Sequence, residues 1–120
     1  LNTGKIIWQV PFGEYSDLTK IGISRTGTLN MGGATATAGD LVFATGTMDK
    51  KIRAFNSNDG TEVWSYDLTF IGSGPPTVFS INDEQYVLVV ATGSISIDRS
   101  FPDNHKFGNF LYSFKLKNIK

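Results

Sequence analysis

A chain of 120 residues carrying eleven basic and eleven acidic side chains and no cysteine is one small domain or part of one. Zero net charge argues against a duplex-binding module, which would need a basic face to neutralise phosphates, so nucleic acid is not an expected partner. The longest apolar run, Val87 to Ala91, is far short of the ~20 residues of a membrane helix, and without cysteine no disulfide or thiolate metal site can form.

The chain begins on Leu1, and is read as a processed product or a piece of something longer. No ten-residue stretch shows an apolar period near 3.6, whereas short β-forming runs recur between turn signals. In chain order the expected strands are Lys5 to Val10, Ala34 to Ala38, Leu41 to Thr45, Lys51 to Phe55, Glu62 to Tyr66, Thr77 to Ile81, Gln85 to Ala91 and Phe110 to Leu116. Gly39-Asp40, Asn58-Asp59-Gly60 and Asn82-Asp83 supply the residues that tolerate positive φ at reversals. Glu14 to Thr28 and Ser94 to Gly108 are polar and read as long surface loops, which at that length are usually functional or mobile. The expectation is an all-β fold.

The sequence also repeats itself. Gly4 and Trp8 recur as Gly60 and Trp64, 56 residues on. Leu41-Val42-Phe43-Ala44-Thr45-Gly46 is echoed by Leu88-Val89-Val90-Ala91-Thr92-Gly93 at an offset of 47, and Ile52-Arg53-Ala54-Phe55 by Leu111-Tyr112-Ser113-Phe114 at 59. The difference places an insertion in the Ser94 to Gly108 loop. One unit is complete, with four strands. The other has three, and the Gly-x-x-x-Trp element it lacks stands at the opposite end, at Gly4 to Trp8. This permutation suits β-propeller blades, four-stranded antiparallel meanders set around a ring. The expected division is residues 1–10 as the last strand of a preceding blade, 33–68 as a complete blade, and 73–117 as three strands of a final blade.

Ala54, Asn56, Gly60 and Trp64 match the tryptophan-docking motif of quinoprotein dehydrogenase propellers, with Asp59 where that motif has Thr and Thr61 where it has an acid. Thr3, Gly4 and Trp8 match its second half. Thr26 to Gly33, Thr37 to Phe43, Asp49, Arg53 to Phe55, Pro76 and Gln85 to Val87 extend the likeness. The chain resembles the C-terminal region of glucose and polyol dehydrogenases that use pyrroloquinoline quinone (PQQ). The resemblance implies about two blades of an eight-bladed propeller, a periplasmic location, and an intact parent that oxidises a sugar, polyol or other alcohol with PQQ and Ca2+ or Mg2+. The fragment alone is expected to be inactive and to bind no cofactor, because the family's general base and most metal ligands lie in earlier blades. Its expected partners are the missing blades or further copies of itself in a ring. The alternative is a non-catalytic propeller scaffold that binds protein.

The resemblance assigns Asn30, Met31 and Gly32 to the loop approaching the quinone. It assigns Asp49 to the aspartate near it, a charged group acting through its neighbours in catalysis as well as in cofactor binding. The competing reading of Asp49 is a solvated hairpin tip, and of Gly32 a turn glycine. The family's functional histidine aligns with Ser94. His105, the single histidine, reaches that place only if the loop folds inward. No metal ligand is assigned to this chain. Asn56 to Gly60 superficially suggests a calcium loop but reads as a β-turn, lacking the closing acid.

Overall fold

The runs Leu41-Val42-Phe43 and Ile52-Arg53-Ala54-Phe55 are too apolar to face water on either side, and they form the two central strands of a sheet. The computed structural model describes residues 3–95 and 107–116. After a short helix α1 (Ser16–Lys20) come β1 (Asn30–Ala36), β2 (Leu41–Thr47), β3 (Lys51–Asn56), β4 (Glu62–Asp67), β5 (Thr77–Ile81), β6 (Glu84–Ala91) and β7 (Phe110–Lys115). They make two antiparallel sheets, β1-β2-β3-β4 and β5-β6-β7, each in chain order. The fold is all-β, as expected.

The two sheets pack face to face. Phe43, Ile52 and Ala54 of the first, Leu68 just after β4, and Val87, Val89 and Ala91 of the second form one buried cluster. Trp64 and Tyr66 on β4 meet the Phe114 ring edge-on, at centroid separations of 5.2 and 5.0 Å, a favoured aromatic geometry. The Thr35 hydroxyl donates to the Pro76 carbonyl (2.5 Å). Gly72 lies against Thr45, where a Cβ would overlap the threonine side chain.

Lys5–Val10 forms no strand. A strand needs a neighbour to complete its ladder, and none lies beside this segment among the described residues; Ile6 and Ile7 are 79% and 77% exposed. Trp8 lies instead over the turn between β3 and β4. Its Nε1–H donates to the Ser57 carbonyl (2.7 Å) and its ring covers Gly60, whose positive φ of 74° opens the turn.

The repeat is looser than its echoes suggest. Leu41 pairs with Asn56, whereas Leu88 pairs with Ser113. The two echoes would pair Leu88 with Lys115, so one of them is two residues out. A shift of two keeps every side chain on its face, which is why the hydrophobic pattern survives it. The polar Glu14 to Thr28 segment contains α1, a turn and a half with no buried residue, so its sequence carries no amphipathic signal. His105 lies outside the described residues.

Candidate functional site

The two sheets are aligned so that β1, β3, β5 and β7 start, and β2 and β6 end, at a common rim. Asn30, Met31, Gly32, Asp49 and Ser94 all stand there, brought from two sheets by the meander topology. The structure divides them between two neighbouring places, however, and does not form one constellation.

The first is a β-bulge. Asn30 pairs with Thr47 and Gly33 with Thr45, so Met31 and Gly32 on β1 stand opposite Gly46 alone. Bulges bend a strand and re-aim a side chain. Gly32 and Gly46 are the hinge: a Cβ on Gly32 would overlap the Thr45 carbonyl, and one on Gly46 would overlap the Gly32 backbone. Gly46 has φ of 106°. The kink turns Thr45 toward the second sheet and Thr47 toward the opposite face. It leaves Met31 56% exposed, on the wall of a cleft of about 850 Å³ shared with Ser73, Thr92, Gly93, Ser94 and Phe107. Thr92 donates its hydroxyl to Ser73 Oγ (2.8 Å), and Ser73 to the Val90 carbonyl (3.2 Å). Ser94 is buried. An apolar wall with a few fixed polar groups is the usual make-up of a small-molecule site. Asn30 is exposed beside the bulge. Ser73 and Thr92 escaped sequence reasoning, because lone hydroxyls at strand ends carry no pattern.

The second place is a buried ion pair. Asp49 is no solvated tip: its side chain is 10% exposed and that of Arg53 is 6%. Arg53 Nη1 donates to Asp49 Oδ1 (3.1 Å) and to Thr47 Oγ1 (3.2 Å), and Nη2 pairs with Asp49 Oδ2. Thr47 donates its hydroxyl to Oδ1 (2.6 Å), and the Glu14 N–H donates to Oδ2 (2.9 Å). Arg53 also meets Glu62 through Nε (3.3 Å) and lies 5.9 Å from the Phe12 ring centre. Burial alone would push the Asp49 carboxyl up. The hydrogen bonds from Arg53 and Thr47, the guanidinium charge and the Glu14 N–H outweigh it and hold the group below its ordinary value. A signal for this pair was available, since an arginine inside Ile52-Arg53-Ala54-Phe55 needs a buried partner. Among the described residues no three His, Cys, Asp or Glu converge as a metal group.

Residues 1–87 match the glucose/ethanol/alcohol dehydrogenase β-propeller domain family designated PQQ. The chain is 30% identical to quinoprotein glucose dehydrogenase A of Acinetobacter calcoaceticus, over 100% of this chain and 15% of that protein. It is 34% identical to the quinate/shikimate dehydrogenase (quinone) of Acinetobacter baylyi, over 98% of this chain and 14% of that one. Among solved structures, the quinohemoprotein alcohol dehydrogenase of Pseudomonas putida HK5 superimposes with a TM-score of 0.48 at 32% identity, over 52% of this chain and 9% of that one. The chain thus spans about 15% of the length of the curated relatives it matches.

Proposed function

The chain belongs to the β-propeller family of PQQ glucose, ethanol and alcohol dehydrogenases, and from that premise we propose that it forms part of the quinone-facing wall of a dehydrogenase acting on a sugar, polyol or other alcohol. The two sheets are read as neighbouring blades of an eight-bladed ring, and residues 1–10 as the last strand of the blade before them. Trp8 on Gly60 is then the docking contact between blades. The parent is read as periplasmic.

The observation that carries this reading is the bulge. It holds Met31 out into a cleft whose far wall is Thr92, Gly93 and Ser94. That cleft suits one face of a flat, polar ring system: a thioether for contact and hydroxyls at the rim for orientation. When bound, the quinone would supply the hydride acceptor, assisted by Ca2+ or Mg2+. This chain's part is to orient. Met31 packs on the ring, Asn30 offers its amide beside it, and Gly32 keeps the backbone close. Asp49 contributes charge through its neighbours. The divalent ion and the base that takes the hydroxyl proton are assigned to residues outside this chain, so the fragment by itself is inactive. Its partners are the missing blades, or in their absence further copies of itself.

One observation favours a second reading. Ser94 occupies the place where the resemblance calls for a histidine, as a non-catalytic, protein-binding scaffold would allow. Titrating the longer protein that contains this chain with PQQ and Ca2+ separates the two. Saturable binding, weakened at least tenfold by Met31→Ala, is expected; no binding at saturating quinone would favour the scaffold.

A further inference from the structure

The Asp49 carboxylate has no vacancy for a ligand. An ionised carboxylate offers about four lone-pair sites. Here they take the Thr47 hydroxyl, both Arg53 Nη groups and the Glu14 N–H. Three of these donors belong to the hairpin of β2 and β3. The fourth belongs to a separate segment. From Phe12 the chain makes a loop that returns at Thr28, whose N–H donates to the Phe12 carbonyl (2.9 Å). Glu14, near its start, ties that loop together. Its carboxylate accepts from the Arg25 N–H (3.1 Å) and from the Thr19 hydroxyl (3.3 Å), while its own N–H is given to Asp49. At the loop's far end Thr28 Oγ1 accepts the Met48 N–H (3.2 Å). Two residues later β1 begins, and with it the bulge.

We propose that Asp49 and Arg53 are positioning residues. They clamp the 12–28 loop onto the β2–β3 turn, and through that loop fix how the chain enters Asn30 and Met31. Glu62 and the Phe12 ring hold Arg53 from its remaining sides. The clamp stands on geometry alone; that Met31 benefits as a ligand contact rests on the function proposed above. Replacing Asp49 by Asn would set an amide donor against the donors of Arg53 or Glu14, which undoes the clamp without changing its size.

The test uses the 120-residue chain, read by tryptic cleavage after Lys20 and Arg25 and by amide exchange at Glu14. Cleavage after Lys5 and exchange at Ile52 and Ala54 serve as references. Asp49→Asn is expected to speed loop cleavage and Glu14 exchange about tenfold, the cost of one charge-assisted hydrogen bond lost locally. The reference sites should change less than threefold. Thr47→Val keeps both charges and should move the loop in the same direction by about threefold; it serves if Asp49→Asn does not fold. Arg53→Lys, which keeps charge but not the fork, should fall between them. Loop cleavage and Glu14 exchange that move no more than Ile52 and Ala54 in these variants would overturn the clamp. Neither measurement involves quinone, so failure here is separate from failure of the titration.

Discussion

Replacing Gly60 by alanine tests the contact between the N-terminal segment and the first sheet. Two costs add. At a φ of 74° an L-residue costs about 1–2 kcal/mol relative to glycine. The new Cβ would also stand 2.7 Å from Cε3 and 2.8 Å from Cδ2 of Trp8, so the indole must move. Moving it breaks the Nε1–H bond to Ser57, worth about 0.5–1.5 kcal/mol, and uncovers part of the ring at roughly 25 cal/mol per Å². The expected total is about 2–4 kcal/mol. Gly22→Ala is the control: its φ is 88° and nothing lies within 4 Å of the added carbon, so it carries the backbone cost alone. Urea unfolding of both variants, followed by circular dichroism, gives the difference. Fluorescence in a Trp64→Phe background reports the exposure of Trp8. If Gly60→Ala costs no more than Gly22→Ala and leaves Trp8 emission unshifted, Trp8 does not dock on that turn.

Three further outcomes are expected. The Asp49 carboxyl is held below the 3.8 of the free group, so its stabilisation is fully present above about pH 4 and is lost as pH falls through the lower folded value, where the unfolded chain binds more protons. Asp49→Asn should therefore flatten the acid side of the stability curve; an unchanged slope below about pH 4 would show that the pair does not titrate with folding. Phe114→Ala should cost about 2–3 kcal/mol in urea unfolding, because it removes the ring between Trp64 and Tyr66 that joins the sheets; a cost below about 0.5 kcal/mol would mean the sheets are held elsewhere. Copies of the chain should associate through the open edge of β7, which pairs with β6 alone among the described residues, since an unpaired edge recruits strands. A monomeric mass by light scattering at micromolar concentration would contradict this.

Most of the architecture was legible because a meander writes its pattern locally. Thr77–Ile81 is the same segment in sequence and structure, and β2, β3, β4, β6 and β7 differ only at their ends. Lys5–Val10 reads as a strand for the same reason, yet pairing is a property of two segments, and composition sees only one. The bulge was illegible: Met31-Gly32-Gly33 announces close backbone approach, but not that Gly46 stands across from two residues. The ion pair was half legible. Asp49 was singled out by resemblance, whereas its partner is betrayed by physics, an arginine in an apolar strand. The separation of Asp49 from the Met31 cleft follows from the kink at Gly46, which no periodicity encodes.

That kink bears on how this hairpin tolerates lengthening and shortening. Strands normally trim at their ends, and loops absorb the change. Losing a residue between Asn30 and Gly33 would instead leave a single residue opposite Gly46 and remove the bulge, with Asn30 still across from Thr47. Without the bend the side chain that now leans into the cleft would be re-aimed, and the segment leading into Asn30 would be shortened against the β2–β3 turn. When related sequences are aligned here, a gap opened within Asn30 to Gly33 changes the aim of a side chain at the cleft, although nothing in the residues' polarity would warn against it.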